Sequence, residues 1–150
     1  MTERVERPAD ILDLVGKDLG TTEWVTVTQD QVNLFADATG DHQWIHTDPE
    51  RAASGPVKGA IAHGFLTLSF IPKALDDVLV IDKGEALIDY GLNKVRFPAP
   101  VPVGSKVRGT VRVVSAQQRP AGVETVFNVT FESDSASKPV CVAEWIVIFR

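Results

Sequence analysis

The sequence is poor in cysteine, with Cys141 alone among 150 residues. One cysteine excludes an internal disulfide and any zinc site built from several thiolates. A chain without disulfides fits a reducing compartment, so we expect a cytoplasmic protein. The N-terminal segment mixes acidic residues with arginine and has no apolar core, so it is not predicted to be a secretory signal.

Positive charge and long apolar runs are also scarce. The net charge is -5, which argues against a nucleic-acid partner because such binding needs a basic face. The longest uncharged run, residues 59–72, has 14 residues, fewer than the roughly 20 that span a membrane. We therefore predict no membrane segment. Apolar and charged fractions of 44% and 23% are ordinary and indicate one folded domain over residues 1–150.

Helix-end signals are clear in the N-terminal half. Thr28, followed three residues later by a glutamine, has the form of a capping box. Gly40 stands where a helix C-cap glycine belongs, and Asp48 with Pro49 is typical of an N-cap and the first helical position. Residues 41–46 are therefore predicted to form a short polar loop between two helices.

The second half changes from helical to extended patterning. Residues 60–75 are apolar on nearly every side, which predicts a buried helix. Pro72 should kink or end that helix near its C-terminal third. After Gly84 the period becomes two, and the predicted strands are 85–97, 105–117, 123–133 and 139–149.

Four long strands in a row predict an antiparallel meander, and the buried helix needs a surface that covers it. A curved sheet wrapped around the helix, an α+β arrangement, satisfies both requirements. The last strand is apolar on both faces. This pattern predicts further burial by a second subunit.

The candidate catalytic residues lie between residues 35 and 69, which contain all three histidines. Asp41 and His46 are five residues apart in the predicted loop, a spacing that lets them hold one water molecule. A carboxylate and an imidazole can remove a proton from that water as its oxygen attacks an electrophilic carbon. The alternative is that Asp41 caps a turn and His46 is an ordinary loop histidine.

His63 and Gly64 form a second candidate group at the start of the buried helix. A glycine allows a ligand to approach the backbone, and free N–H groups there stabilise developing negative charge, such as that of an enolate oxygen. The alternative is that Gly64 serves packing alone and His63 donates to a backbone carbonyl.

Two other kinds of site are weighed and not favoured. Asp41, His46, Asp48 and His63 together offer a mixed ligand set, but no zinc signature matches, so we predict no metal. Five basic residues on adjoining strands could meet phosphates. A solvated sheet face is the favoured interpretation for these residues, which are Lys94, Arg96, Lys106, Arg108 and Arg112.

The candidate residues form one recognisable string. The string reads F-A-D-A-T-G-D-x-x-x-x-H-x-D-P-x-x-A and is followed by I-A-H-G-F-L-T-L-S. It resembles the hydratase 2 motif of the MaoC-like dehydratases, which are the (R)-specific enoyl-CoA hydratases of the hotdog-fold superfamily. Residues 90–101, Y-G-L-N-K-V-R-F-P-A-P-V, are similar to a segment of the mycobacterial and actinobacterial single-hotdog members. The resemblance covers nearly the whole chain.

The resemblance implies a hotdog fold, a long helix wrapped by an antiparallel sheet, and a homodimer. It assigns the catalytic Asp and His to Asp41 and His46, and the oxyanion hole and substrate-binding residues to Gly64 and His63. Many relatives carry Asn-Pro inside the catalytic loop, where this chain has Gln43 and Trp44. We therefore expect altered loop contacts and a substrate pocket reshaped by the tryptophan.

The implied activity is reversible syn hydration of a trans-2-enoyl-CoA to the (3R)-hydroxyacyl-CoA in fatty-acid metabolism. The partner is an acyl-CoA thioester, and no cofactor is expected because CoA is part of the substrate. Two alternatives stay open, an acyl-CoA thioesterase of the hotdog fold and a non-catalytic acyl-thioester-binding subunit. Acyl-carrier-protein thioesters could also replace CoA.

Overall fold

The computed structural model describes residues 2–150 and contains a curved six-stranded sheet with helices packed on its inner face. The helices are α1 (Gln29–Thr39), α2 (Trp44–Thr47), α3 (Pro49–Ala53), α4 (Gly64–Ser69) and α5 (Ile71–Val78), and a 3-10 helix spans Pro8–Leu14. The strands are β1 (Glu3–Val5), β2 (Asp18–Thr21), β3 (Val25–Thr26), β4 (Leu79–Ile81), β5 (Leu87–Arg96), β6 (Lys106–Arg119), β7 (Gly122–Ser133) and β8 (Cys141–Phe149).

The strand order of the sheet is β2-β6-β7-β8-β5, and β3 also pairs with β6. The meander prediction is correct for β6, β7 and β8 but wrong for β5, which pairs with β8 and not with its successor. The physical reason is the connection 97–105, which hydrogen-bonds through Val101 and Val103 to residues 60–62. This connection carries the chain from one edge of the sheet to the other.

Alternation along the strands places the core on one face of the sheet. In β7 and β8 every second residue is buried, and Phe127, Trp145 and Phe149 form an aromatic cluster there. The opposite face of β8 is half-buried. The predicted burial of that face by a second subunit stays a prediction.

The central helix differs from its prediction at both ends. It begins at Gly64 rather than Ala60, because Ile61 is extended and forms a β-bridge with Pro102. It is interrupted at Phe70 and continues as α5 to Val78. Pro72 lies in the first turn of α5, where a missing N–H group costs nothing, so the break precedes the proline.

The helix ends predicted at Thr28, Gly40 and Asp48 are confirmed. Thr28 Oγ1 accepts a hydrogen bond from Gln31 N–H (3.2 Å), and Asp48 Oδ1 accepts one from Arg51 N–H (3.1 Å). Gly40 ends α1 in the left-handed region with φ +83°. The reciprocal half of the predicted capping box does not form, because Gln31 Oε1 is buried without a hydrogen-bond partner among the described residues.

Within residues 2–150, no helix has the length and apolar character that a membrane crossing requires.

Cys141 should be chemically inert in the folded protein. Its side chain is 0% exposed, and burial raises the pKa of the thiol from 9.0 to about 11. Since the folded-state pKa lies above the unfolded one, the thiol stabilises the fold fully below pH 9 and loses that contribution as pH rises toward about 11. We expect a disulfide reagent at pH 8 to label the denatured chain rapidly and the native chain slowly. Rapid native labelling would contradict this burial.

Candidate active site

Asp41 leaves the C-terminus of α1 in a fixed direction. Gly40 turns the chain in the left-handed conformation, and its N–H donates to Ala36 O (2.8 Å). Asp41 is exposed, and its Oδ1 accepts a hydrogen bond from Gln43 N–H (3.2 Å). Asp41 therefore caps a turn, which is the alternative interpretation considered for it from the sequence. The turn also holds the Asp41 carboxylate in place.

His46 is buried and lies on α2, a four-residue helix in the segment predicted to be a loop. Its side chain is 7% exposed, and its Nδ1 lies 2.7 Å from Ile61 O. A carbonyl oxygen only accepts hydrogen bonds, so Nδ1 carries the hydrogen and the neutral ring has its lone pair on Nε2. Gln29 Nε2 donates to His46 O (2.8 Å), which ties α2 to α1.

His63 is the most deeply buried histidine and sits directly before α4. It is 3% exposed, and its Nε2 lies 3.0 Å from Asp41 O. The ring stacks on His46 with centroids 3.9 Å apart and planes inclined by 25°. A ring nitrogen from each histidine and a carboxylate oxygen of Asp41 lie within 4.8 Å of one another. The fold therefore brings three of the four predicted site residues into one cluster.

Gly64, the fourth predicted residue, begins α4 immediately after His63. The first N–H groups of a helix have no acceptor within the helix. Leu66 N–H already donates to His63 O (3.0 Å), so the N–H available to a ligand is that of Gly64 itself. A Cβ atom at this position would lie 3.3 Å from three ring atoms of Phe97. The glycine thus permits a close contact with an aromatic ring that lies just beyond β5.

The unusual loop residues Gln43 and Trp44 leave the Asp41 turn intact. Gln43 contributes its backbone N–H to that turn, so the contact does not depend on which side chain is present. The Trp44 ring packs against α3, with the Arg51 guanidinium 4.3 Å above its centroid and Gly55 alongside. The predicted effect of Trp44 on the substrate pocket stays a prediction.

A hollow of about 350 Å³ lies beside the central helix. Its lining includes Leu68 of α4, Ile71 and Pro72 of α5, and Leu92 of β5. Leu68 is four residues beyond Gly64, so it lies on the same face of the helix. One residue of the lining therefore lies one helical turn from Gly64.

Other candidate residues lie outside the cluster. His42 is exposed and faces Asp37 at 3.8 Å. Arg108 pairs with Glu132 and Arg112 with Asp18 on the sheet surface, as the solvated-face interpretation expects.

The histidine–carboxylate cluster also has the residue types of a cation site. One nitrogen of each ring lies within hydrogen-bond distance of a backbone carbonyl, and the two rings are stacked. These contacts leave His46 Nε2 and His63 Nδ1 as the ring nitrogens that face other groups of the site. The predicted lack of a metal stays a prediction.

Three contributors to the site were missed from the sequence. Ile61 acts through its backbone carbonyl, which leaves no sequence signal. Gln29 fixes α2 by a contact across 17 residues, which spacing does not reveal. The one available signal was Phe97, an aromatic residue before a proline at the end of a predicted strand.

Comparisons with known proteins agree with this architecture. Residues 10–134 match the family model described as MaoC like domain. The 3-hydroxyacyl-thioester dehydratase Z of Mycobacterium tuberculosis (strain ATCC 25618 / H37Rv) is 52% identical over 143 residues, which cover 95% of this chain and 95% of that protein.

Two solved structures share the fold. The unliganded R-hydratase PhaJ1 from Pseudomonas aeruginosa superimposes with a TM-score of 0.72 at 25% identity, covering 89% of this chain and 80% of that one. The (R)-hydratase from A. caviae involved in PHA biosynthesis gives a TM-score of 0.74 at 22% identity, with coverage of 89% and 95%. The hotdog prediction is thereby confirmed, and the chain belongs to the MaoC-like dehydratase family.

Proposed function

We propose that this protein is a hydro-lyase that catalyses the reversible syn addition of water to a trans-2-enoyl thioester, giving the (3R)-hydroxyacyl thioester. The observation that carries the proposal is the convergence of Asp41, His46 and His63 within 4.8 Å, directly before the Gly64 N–H. The dehydratase name of the mycobacterial relative and the two hydratase structures support the same reaction.

Asp41 and His46, called the dyad below, can hold one water molecule between two hydrogen-bond acceptors. The neutral His46 ring has its lone pair on Nε2, and the Asp41 carboxylate only accepts hydrogen bonds. The side chains of the dyad have polar atoms within 4.8 Å of each other, so one water between them can donate one hydrogen to each. Both of its hydrogens are then engaged, and its oxygen lone pair is free to attack C3 of the enoyl group.

The reaction moves one proton away from the water and one proton to C2. As the oxygen–C3 bond forms, the dyad accepts a proton from the water, and the thioester oxygen gains enolate charge. The Gly64 N–H stabilises that charge. A proton then passes to C2 from the dyad side of the substrate, so both additions occur on one face.

The acyl chain of the substrate fits the hollow beside the central helix. The hollow is lined mainly by apolar side chains of α4, α5, β5 and β8, with Ser69 and Asp89 as its polar members, and Leu68 in its lining lies one turn beyond Gly64. A thioester oxygen at Gly64 therefore directs the acyl chain along the helix. The carrier, CoA or acyl carrier protein, lies outside this hollow, and CoA enters only as part of the substrate, without a further cofactor.

A homodimer is the assembly that the free sheet edge supports. β5 is the last strand of the sheet and has no neighbour on its outer side among residues 2–150. It exposes Ile88, Tyr90 and Leu92, and Tyr90 is 65% exposed. Edge strands with apolar side chains pair readily with another strand. We propose that β5 pairs with β5 of a second copy about a two-fold axis.

The cytoplasmic location stays a prediction.

Replacing Asp41 by Asn should lower the hydration rate by ~10²–10⁴-fold, because Asn keeps the shape of the carboxylate but accepts no proton. The measurement is the loss of enoyl-thioester absorbance with crotonyl-CoA, with chiral analysis of the product. Asp37→Asn, the same change on an exposed α1 residue, is the matched control and should leave the rate unchanged. Full activity in Asp41→Asn would exclude this dyad, and release of free thiol by the native protein would indicate a thioesterase.

Gly64→Val should lower kcat by ~10²-fold, because its side chain meets the Phe97 ring and displaces the N–H that faces the thioester oxygen. The double variant Gly64→Val with Phe97→Leu relieves the contact and should recover part of the rate. Steady-state kinetics of both folded variants test this assignment. Unchanged kcat in Gly64→Val would remove Gly64 from the site.

Charged residues at the β5 edge should dissociate the dimer. We expect Ile88→Lys with Leu92→Lys to give a monomer, since two ammonium groups disfavour strand pairing there. Val114→Lys changes an exposed apolar residue on the inner strand β6 and is expected to leave the dimer intact. Light-scattering masses decide between these outcomes, and a monomeric native protein would refute the proposed pairing.

A further inference from the structure

His63 carries an unpaired polar atom in the protein interior. Its side chain is 3% exposed, and its Nδ1 has no hydrogen-bond partner among the described residues. Buried polar atoms are nearly always paired, so such an exception needs an explanation. An apolar side chain would fill the same space without an unpaired nitrogen. The other contacts of the ring give a reason for a histidine at this position.

Those contacts join both members of the dyad. His63 Nε2 lies 3.0 Å from Asp41 O, and since a carbonyl only accepts, Nε2 carries the hydrogen. One face of the ring stacks on His46 at 3.9 Å, and Phe35 packs against it with centroids 4.9 Å apart. One side chain thus hydrogen-bonds to the backbone of the carboxylate residue and packs on the imidazole.

Each contact of His63 restricts a different motion, one of the Asp41 backbone and one of the His46 ring. The hydrogen bond holds the backbone from which the Asp41 carboxylate projects. The stack fixes the plane of the His46 ring, whose Nδ1 is already held by Ile61 O at 2.7 Å. Two constraints on that ring determine where Nε2 points. Because His63 also precedes Gly64 in the chain, it sets the distance from the dyad to the Gly64 N–H.

We propose that His63 is the positioning residue of the dyad: its Nε2–H anchors the Asp41 backbone, and its ring face orients His46. It moves no proton and does not touch the substrate. This role rests on the proposed hydration activity, and it differs from the substrate-binding role that the family resemblance implies for His63.

Two substitutions separate the hydrogen bond from the ring. His63→Gln keeps an N–H donor at about the reach of Nε2 but lacks the aromatic face, whereas His63→Leu lacks both. A displacement of about 1 Å in a catalytic group costs ~10²-fold in rate. We expect kcat to fall ~10²-fold in His63→Leu and about tenfold in His63→Gln, with KM within about threefold in both.

The kinetic outcomes are distinct. Partial rescue by Gln with an unchanged KM supports positioning. A higher KM with native kcat would make His63 a substrate contact and overturn the proposal. Equal loss of kcat in both variants, or no loss in His63→Leu, would also overturn it. Thermal unfolding of each variant shows whether a fall in kcat accompanies loss of the fold.

A spectroscopic test does not depend on activity. The chain has three histidines, so ¹⁵N-labelled imidazoles give a simple spectrum, and His42→Gln, at an exposed position, identifies one signal. We expect the Nε2–H tautomer for His63 and the Nδ1–H tautomer for His46. His46 should lose its single tautomer in both His63→Gln and His63→Leu, because neither side chain has the aromatic face that stacks on the His46 ring. An Nδ1–H tautomer of His63 in the native protein would refute the positioning role, even if both variants failed to fold.

If the native protein does not hydrate enoyl thioesters but His46 responds to the substitutions as expected, the proposed reaction fails while the geometric role of His63 holds. If hydration is observed and the His46 tautomer is insensitive to both substitutions, the positioning role fails alone.

Discussion

The site depends on an extended segment, residues 60–63, that is held from both sides by backbone hydrogen bonds. Ile61 N–H donates to Ile45 O (3.0 Å), and Ala62 N–H donates to Val101 O (2.8 Å). The Ile61 carbonyl, on the same segment, receives His46 Nδ1–H. Because the segment ends in His63 and Gly64 follows directly, its position fixes the dyad, the stacked ring and the helix start in relation to one another. The sheet supplies support, and the chemistry lies on the segment and short helices that pack on it.

Local signals in the sequence predicted what depends on local interactions. The caps at Thr28, Gly40 and Asp48 satisfy orphan backbone groups within a few residues, so their residue types were sufficient. The same holds for the alternating strands β6, β7 and β8. The proximity of Asp41 and His46 also followed from their spacing, since they are only five positions apart.

What the sequence did not reveal depends on contacts between distant residues. Residues 60–63 are as apolar in sequence as the helix that follows, in which even the exposed position 65 is a phenylalanine. No change of pattern therefore marks the helix start at Gly64. The pairing of β5 with β8 joins residues such as Leu87 and Phe149, and alternation specifies a buried face but not a neighbour. The helix α2 has four residues, too few to show any periodicity.

The contact between Phe97 and Gly64 joins the edge of the sheet, where the dimer is proposed to form, to the start of the central helix, where the thioester oxygen is proposed to bind. Phe97 follows β5, the strand at the free edge of the sheet, and its ring lies against the first residue of the central helix. A shift of that strand would therefore be transmitted through the ring to the backbone at Gly64. A larger residue at position 64 would therefore need either a shift of the Phe97 ring or a smaller residue at position 97, so the space at the helix start depends on a side chain at the end of the edge strand.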